Sequence, residues 1–324
     1  MRVPAPAKIN LHLRVGPPKA DGFHPLLTWM TTVALFDTLT FVRRRPTSPT
    51  SDDAGDSPTP PQRDAHFFAL SCDRPDLPVG RDNLVVKAAM ALADAAGTGD
   101  GSRVGEGSTV VRLDRVSAFL AKRIPSGAGL GGGSSDAAAA LVGLNALWKL
   151  GFAASRLSAI AAQLGSDVPF FLSGPSSVCS GRGEIVRPVA RLDMKWAVLV
   201  LPKYELPTPA VYRRFDEMNL GREDSIRDDV DWAAWSKLSA AELMPRLVND
   251  MEPAAFSLRP ELGELRQKLE RELSPQIVRM SGSGSSLFTL CDDAERAQSL
   301  AQRVKQRCNV DAMAAAVAPE VKLG

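Results

Sequence analysis

The segment Ile124-Pro-Ser-Gly-Ala-Gly-Leu-Gly-Gly-Gly-Ser-Ser-Asp-Ala-Ala-Ala-Ala140 predicts both the fold and a ligand site, because it joins a glycine-rich loop to a helix. Five glycines fall within residues 127–133, and residues 137–150 have the alanine and leucine content of a helix. Glycine lets the backbone pass close to a ligand and adopt positive φ. The helix that follows directs unpaired N–H groups and a partial positive charge at that ligand. The segment therefore predicts an anion site of the kind that usually holds a triphosphate group.

Two better-known phosphate-binding loops do not fit this segment. A P-loop requires a Lys after its last glycine, and no Lys follows these glycines. Gly127, Gly129 and Gly132 have the G-x-G-x-x-G spacing of a dinucleotide loop, but residues 151–156, about 20 positions further on, contain no Asp or Glu. A flexible linker is the structural alternative. It is disfavoured because an alanine-rich helix with regularly spaced apolar residues follows at once.

The composition limits the class of protein. The 324 residues are enough for two domains, and a net charge of +2 argues against a dedicated nucleic-acid-binding protein. The four cysteines are scattered and form no C-x-x-C pair, so neither a zinc site nor a redox pair is indicated. The N-terminus lacks an apolar signal-peptide core, and no apolar run reaches the roughly 18 residues of a membrane helix. We therefore expect a cytoplasmic protein that binds neither membranes nor nucleic acid.

Predicted strands and helices are mixed along the chain without strict β-α-β repetition, which is typical of α+β domains. Residues 7–15 alternate apolar and polar side chains, as expected for a strand with one buried face, and Lys8 and Asn10 share its polar face. Residues 46–64 are poor in apolar side chains and rich in Pro, Ser, Thr and Asp, which predicts a flexible surface insertion. Residues 97–107 are predicted to form a second flexible connection.

Four further segments carry residue types suited to chemistry. They are Pro6-Ala-Lys8-Ile-Asn10, the turn Ala20-Asp-Gly-Phe23-His24, Leu164-Gly-Ser-Asp167-Val-Pro-Phe-Phe171, and Met280-Ser-Gly-Ser-Gly-Ser-Ser-Leu-Phe288. Each has an ordinary structural explanation when taken alone: a strand lysine is usually solvated, and an aspartate before a helix usually caps it. Asp167 is nevertheless unusual, since it precedes a run of apolar residues expected to be buried.

Together, and in this order, the motifs resemble those of the GHMP kinases, small-molecule kinases named for galactose, homoserine, mevalonate and phosphomevalonate. Residues 125–138 resemble the second family motif, and the segments around Lys8 and at residues 281–285 resemble the first and third. A-D-G-F-H and G-S-D-V-P-F-F further resemble the branch that acts on 4-diphosphocytidyl-2-C-methyl-D-erythritol, an alcohol of the non-mevalonate isoprenoid pathway. The resemblance implies a two-domain α+β GHMP kinase fold. Residues 1–189 would form a ribosomal protein S5 domain 2-like domain, and residues 190–324 a ferredoxin-like domain.

The resemblance also implies an activity, the ATP- and Mg²⁺-dependent phosphorylation of the 2-hydroxyl group of that alcohol. Asp167 would be the catalytic carboxylate that accepts or orients the hydroxyl proton, and Lys8 would hold it ionised and favour the developing alkoxide. Asn83 would lie near the adenine. The loop residues that would bind the ATP phosphates are Pro125, Ser126, Gly127, Ala128, Gly129, Leu130, Gly131, Gly132, Gly133, Ser134 and Ser135. Either of the two serines could reach Mg²⁺, because the extra glycines leave their alignment open.

For the cytidylyl substrate, the resemblance places Asn10, Phe23 and His24 near the cytidine, where an aromatic ring can stack on a pyrimidine and His can bond its edge. Tyr212 is the implied second stacking aromatic. Asp136 could orient the methylerythritol portion or cap the loop helix, and both interpretations stay open.

Two other functions are alternatives. Another GHMP kinase with a different alcohol substrate is disfavoured by the presence of both A-D-G-F-H and T-P-x-x-Y. A catalytically inactive sensor of a nucleotide or metabolite would be expected to lack Lys8 or Asp167, and both residue types are present. The expected form is a monomer or homodimer with a small-molecule substrate.

Overall fold

The computed structural model describes residues 1–44, 67–97, 113–193 and 195–320. The predicted insertion at residues 46–64 lies outside these ranges, as does nearly all of the connection at residues 97–107. Within the described ranges the chain forms two β-sheets. None of the helices in those ranges is long and apolar enough to cross a membrane.

The first sheet is built on two long antiparallel strands. β1 (Arg2–Val15) and β2 (Leu26–Arg43) pair along their whole length, with register shifts after Pro6 and Asn10. The alternating pattern predicts a strand only from residue 7, but β1 begins at Arg2. The extension includes two prolines, which are tolerated because β1 lies off the main strand order as an edge partner of β2.

Four more strands and four helices complete the described N-terminal half. They are β3 (Phe68–Cys72), α1 (Leu84–Ala95), β4 (Val116–Ala121), α2 (Gly132–Leu147), α3 (Ala154–Leu164), α4 (Phe170–Ser173), β5 (Ser176–Ser180) and β6 (Ile185–Pro188). The strand order is β3-β4-β2-β5-β6, with β3 and β4 parallel and the other pairs antiparallel. Helices α1, α2 and α3 pack with the sheet in one apolar core that includes Phe41, Leu92 and Leu144.

The helix after the glycine loop begins earlier than the sequence predicts. α2 starts at Gly132 and ends at Leu147, whereas the alanine content predicts residues 137–150. Its N-cap is Gly131, with φ 68°, and no side chain caps it, so Asp136 does not cap this helix. The unpaired N–H groups of its first turn therefore belong to the glycine run itself, which brings the positive end of the helix into the loop.

The second sheet and its helices form the described C-terminal half. The elements are β7 (Trp196–Leu201), α5 (Thr208–Glu217), α6 (Trp232–Trp235), α7 (Ala240–Leu243), α8 (Glu252–Leu258), α9 (Pro260–Glu272), β8 (Arg279–Met280), β9 (Leu287–Cys291), α10 (Ala294–Cys308) and β10 (Asp311–Ala316), with 3-10 turns at Glu223–Ile226 and Met244–Arg246. The strand order β10-β7-β9-β8 is antiparallel throughout. Helices connect β7 to β8 and β9 to β10, which is the ferredoxin-like pattern that the resemblance implies.

The two halves share an apolar core. Ile9 and Leu11 of β1 belong to the same buried cluster as Leu199 of β7 and Phe288 of β9. The connection from β6 to β7 contains the predicted domain boundary after residue 189, which stays a prediction. Because the shared core joins the sheets, the position of β1 is fixed by both halves at once.

Both faces of β1 are buried, contrary to the single buried face that the alternation predicts. Lys8, Asn10 and His12 are only 4%, 5% and 6% exposed. Lys8 N donates to Leu130 O at 2.9 Å, and Val248 N donates to His12 Nδ1 at 3.3 Å, so the glycine loop and the C-terminal half cover the polar face. The charge of a buried lysine has to be compensated by an opposite charge, and a carboxylate that lines the adjacent cavity compensates that of Lys8.

Candidate active site

A cavity of about 480 Å³ lies where the two halves meet. The described residues that line it come from both halves and include Lys8 and Asn10 of β1, Asn83 and Leu84 at the start of α1, residues 125–134, Asp167, Tyr212, Gly282 and Ser283. The structure thus brings the glycine loop, the strand lysine, the aspartate and the second glycine-serine turn to one site, although they are far apart in the sequence.

The glycine loop is seated directly on the turn at residues 281–286. Ser281 Oγ donates to Gly129 O at 3.0 Å, and Ser286 N donates to Ala128 O at 3.1 Å. A Cβ at position 129 would lie 2.3 Å from Ser281 O, so only glycine fits there. Gly131 is equally confined, since its Cβ would lie 2.9 Å from the Cγ atom of Lys8. The glycines therefore allow two loops and the lysine to approach more closely than side chains permit.

Lys8 is the buried cation of the cavity. Its Nζ lies 3.3 Å from Asp167 Oδ2 and donates to Asn10 Oδ1 at 2.5 Å. Asn10 is oriented in turn by Thr28, since Asn10 Nδ2 donates to Thr28 Oγ1 at 2.8 Å. The Lys8 side chain is 5% exposed and that of Asp167 is 35% exposed, so the carboxylate is the member of the pair that faces the open space. The pair can contact a hydroxyl group placed in the cavity and stabilise negative charge that develops on its oxygen.

A second buried charge cluster, which the sequence did not indicate as a unit, lies beneath the start of the glycine loop. Lys122 forms ion pairs with Asp37 and, at 2.8 Å, with Asp136. Asp37 Oδ1 also accepts the N–H groups of Arg123 and Ile124, which fixes the chain as it enters the loop. Asp136, predicted as a substrate contact or a cap, thus pairs with Lys122 while lining the cavity. The only sequence signal for Lys122 is a charge at the end of an apolar strand.

Burial governs the protonation of this cluster. Burial raises the pKa of Asp136 to about 7, the neighbouring Asp37 carboxylate adds to the rise, and the Lys122 ammonium opposes it. Asp136 Oδ1 is buried and has no hydrogen-bond partner among the described residues.

The two serines of the loop lie on different sides of α2. Ser134 lines the main cavity. Ser135 is 1% exposed, lines a separate cavity on the other side with Thr32 and Phe171, and its N–H is already donated to Gly131 O at 2.9 Å. The geometry therefore leaves Ser134 as the serine placed to reach a ligand in the cavity.

Asn83 lines the cavity and caps α1. Its Oδ1 accepts from Val85 N at 2.9 Å, and its Nδ2 donates to Pro78 O at 2.7 Å. Leu77, Pro78 and Leu84 form apolar walls beside it. This end of the cavity suits a flat, largely apolar group such as a nucleotide base.

The rings of Tyr212 and His24 lie against each other at a tilt of 47°. Their ring centroids are 5.0 Å apart, and His24 Nε2 lies 2.7 Å from Asp216 Oδ1. Tyr212 lines the cavity, and its pKa is raised to about 12 by burial and by the charge of Asp167, which keeps the phenol neutral. His24 is buried and does not line the cavity, so it contacts Tyr212 without facing the open space.

Phe23 lies outside the cavity lining in this structure. It is 51% exposed, and the Arg182 guanidinium lies 3.9 Å from its ring centroid. Arg182 also forms an ion pair with Asp21 at 2.7 Å, which holds the turn at residues 20–24 on the surface. The predicted contact of Phe23 with the substrate stays a prediction.

Comparison with known proteins gives consistent results. The family model described as "GHMP kinases N terminal domain" matches residues 83–175, and "GHMP kinases C terminal" matches residues 229–310. A 4-diphosphocytidyl-2-C-methyl-D-erythritol kinase of Synechococcus sp. (strain CC9902) is 38% identical over 91% of this chain and 89% of its own length. The enzyme of that name from Nocardioides sp. (strain ATCC BAA-499 / JS614) is 38% identical over 92% of this chain and 90% of its own. A crystal structure of 4-(cytidine 5'-diphospho)-2C-methyl-D-erythritol kinase superimposes with a TM-score of 0.71 at 32% identity, covering 99% of this chain and all of that one.

Proposed function

This chain belongs to the GHMP kinases, in the 4-diphosphocytidyl-2-C-methyl-D-erythritol kinase family, and on that premise we propose that it transfers the γ-phosphoryl group of ATP to the 2-hydroxyl group of this alcohol. The observation that carries the proposal is the Lys8–Asp167 pair, 3.3 Å apart, in the same cavity as the glycine loop and Tyr212. A phosphate site, a hydroxyl-binding carboxylate and a stacking ring are the three parts that this reaction needs.

Asp167 and Lys8 are the proposed catalytic residues. Phosphoryl transfer requires mainly that the hydroxyl be placed in line with the phosphate and that charge be neutralised. The Asp167 carboxylate is open to the cavity and would accept the hydroxyl proton, or orient it, as the oxygen attacks. Lys8 Nζ, held in place by Asn10, would stabilise the negative charge that develops on that oxygen.

The glycine loop and the start of α2 are the proposed phosphate site. The first N–H groups of α2 lie in Gly132, Gly133 and Ser134, where no intrahelical partner exists and the helix dipole favours an anion. Mg²⁺ prefers oxygen ligands and commonly takes few from the protein when phosphates supply the others. In this chain Ser134 would bind the Mg²⁺ ion, and the bound ion would neutralise part of the phosphate charge. Ser135 is not proposed as a ligand, because it faces away from the cavity.

The aromatic side of the cavity is the proposed cytidine site. Tyr212 offers a neutral ring face, and His24 behind it is fixed by Asp216. A pyrimidine stacked on Tyr212 would place its linked diphosphate and methylerythritol toward Lys8 and Asp167. Asn83, on the other side, is the proposed neighbour of the adenine, which would leave the two nucleotides at opposite ends of one cavity.

The test is ADP release by the purified protein with ATP and Mg²⁺, run in parallel against 4-diphosphocytidyl-methylerythritol, homoserine, mevalonate and galactose. Turnover with the cytidylyl substrate alone is expected. Turnover with another of the alcohols would keep the kinase chemistry and refute the cytidine site. ADP binding without turnover of any alcohol would favour a nucleotide sensor.

A further inference from the structure

Asn249, three residues before the start of α8, is buried, and its whole side-chain amide is hydrogen-bonded. Its Nδ2 donates to Met280 O and to Gly282 O, both at 2.8 Å, and its Oδ1 accepts from Met251 N at 2.9 Å. An amide nitrogen carries two hydrogens, so both are used. One side chain therefore holds the two carbonyl groups that flank Ser281.

The turn that Asn249 holds is the one that contacts the reacting groups. Ser281 Oγ donates to Gly129 O in the glycine loop at 3.0 Å and accepts from Asn10 N at 3.2 Å. Gly282 lies against the catalytic pair, since a Cβ there would be 3.5 Å from Lys8 Nζ and 3.1 Å from Asn10 Oδ1. A change in the position of this turn would therefore reach both the phosphate site and the lysine.

Asn249 is itself anchored to the strand that carries Lys8. Leu13 N donates to Val248 O at 2.8 Å, and Asp250 N donates to Leu13 O at 3.0 Å. Asn249 and Leu13 are thereby paired in a parallel bridge. The backbone of Asn249 is thus held on β1 independently of the turn, and its amide links β1 to the turn.

The direction of the Gly282 carbonyl determines where the next N–H points. The peptide between Gly282 and Ser283 is trans and planar, so its N–H points away from its C=O. Asn249 bonds the C=O on the buried side, while Ser283 lines the cavity. Within the described residues, Ser283 N–H donates to no other group. The Ser283 N–H is therefore available to a ligand in the cavity.

We propose that Asn249 is a positioning residue for phosphoryl transfer, which fixes the turn at residues 280–283 and directs the Ser283 N–H at the transferred phosphoryl group. The proposal rests on the proposed function. A fixed donor aimed at charge that develops during the reaction lowers the barrier without having to reorganise. Removing the amide would leave the turn in contact with the glycine loop through Ser281 but free to rotate its peptides.

The test compares Asn249→Ala with a matched control, Asn145→Ala. Asn145 also holds a turn with its amide, since Nδ2 donates to Phe152 O at 3.1 Å and Oδ1 accepts from Phe152 N at 3.0 Å, but it lies at the far end of α2. Thermal midpoint, ADP affinity and kcat per ADP-binding site are measured for both. A misplacement of about 1 Å at a reacting group costs about 10²-fold, so kcat of Asn249→Ala should fall about 100-fold. Its ADP affinity should stay within about threefold, because an interaction made in the transition state lowers kcat alone.

A merely structural role predicts the pattern of the control, a lower thermal midpoint with kcat per ADP-binding site unchanged. Finding that pattern in Asn249→Ala would overturn the proposal. If Asn249→Ala does not fold, Asn249→Ser replaces it, since its hydroxyl keeps one donor and should give an intermediate loss of kcat. A kcat for that variant equal to the control's would overturn the proposal as well. Absence of turnover in the unaltered protein would instead refute the proposed function, so the two failures are distinguishable.

Discussion

Replacing Gly129 by alanine should separate the glycine loop from the turn on which it sits. A Cβ at this position would lie 2.3 Å from Ser281 O and 2.9 Å from Gly284 O, whereas ordinary contact begins at 3.4 Å. To restore an ordinary contact, the glycine loop and the Ser281 carbonyl would have to move apart by about 1.1 Å, from 2.3 to 3.4 Å. The turn cannot easily retreat, because Asn249 holds the carbonyl groups on both sides of Ser281. The φ of 75° adds backbone strain of about 1–2 kcal/mol for any residue with a Cβ.

The steric part of this effect can be isolated with Gly151→Ala. Gly151 has φ 66° and lies between α2 and α3 with no atom within 4 Å of an added Cβ, so its replacement introduces the strain without the collision. Both variants should lower the urea midpoint of unfolding, and Gly129→Ala should lower it more. Only Gly129→Ala should lose turnover, by about 100-fold, since a displacement near 1 Å at reacting groups costs about 10²-fold.

The assay is ADP release with the cytidylyl substrate at saturating ATP, together with urea unfolding of both variants. Equal urea midpoints and equal turnover for Gly129→Ala and Gly151→Ala would refute the argument. That result would mean that the loop does not depend on close contact with Ser281 for its position.

Three further predictions concern single side chains. Asp167→Asn removes the group proposed to accept the hydroxyl proton, so kcat should fall by about 10²- to 10⁴-fold with ADP affinity retained, and near-normal kcat would exclude that role. Tyr212→Ala should raise KM for the cytidylyl substrate by about tenfold or more, because stacking on an aromatic ring contributes about 1–3 kcal/mol. A change in the KM for ATP instead would refute the proposal that the cytidine binds at Tyr212. Burial raises the pKa of Asp136 from 3.8 to about 7, so the folded protein holds a proton that the unfolded chain releases in that interval. The stability that the neutral carboxyl contributes is therefore lost as the pH rises from 3.8 toward 7, and the urea midpoint of unfolding should fall over that interval. Asp136→Asn should show a smaller fall. An equal dependence of the urea midpoint on pH in the unaltered protein and in the variant would contradict this prediction.

The residues proposed as catalytic could be singled out from the sequence because they lie in short motifs. Lys8, the glycine loop and Asp167 each sit within a few residues of glycine or proline, which restrict the local backbone and so leave a recognisable pattern. The fold class follows from the same motifs. The structure places these residues around one cavity, as the resemblance implies.

The supporting residues could not be predicted, since tertiary pairing alone brings them together. Asp37 and Lys122 are 85 positions apart and meet only because β2 pairs with β4. Asn249 lies in a connection without regular secondary structure, and the two carbonyl groups that it bonds are more than thirty positions away. The alanine content predicts too late a start for α2, for a different reason. Glycine has low helix propensity, and here the packing of the loop against Lys8 and Ser281 overrides it.

β1 explains why the cavity and the shared core are linked. Its Ile9 and Leu11 belong to the core that joins the two sheets, while Lys8 and Asn10, on alternate positions, face the cavity. In a strand, a shift of one residue would exchange these two sets, putting the lysine into the core and an apolar side chain into the site. The apolar packing that joins the halves therefore also sets the register of Lys8, the proposed catalytic lysine. Because Asn249 is bonded to the same strand through Leu13, the third motif is held in that register too.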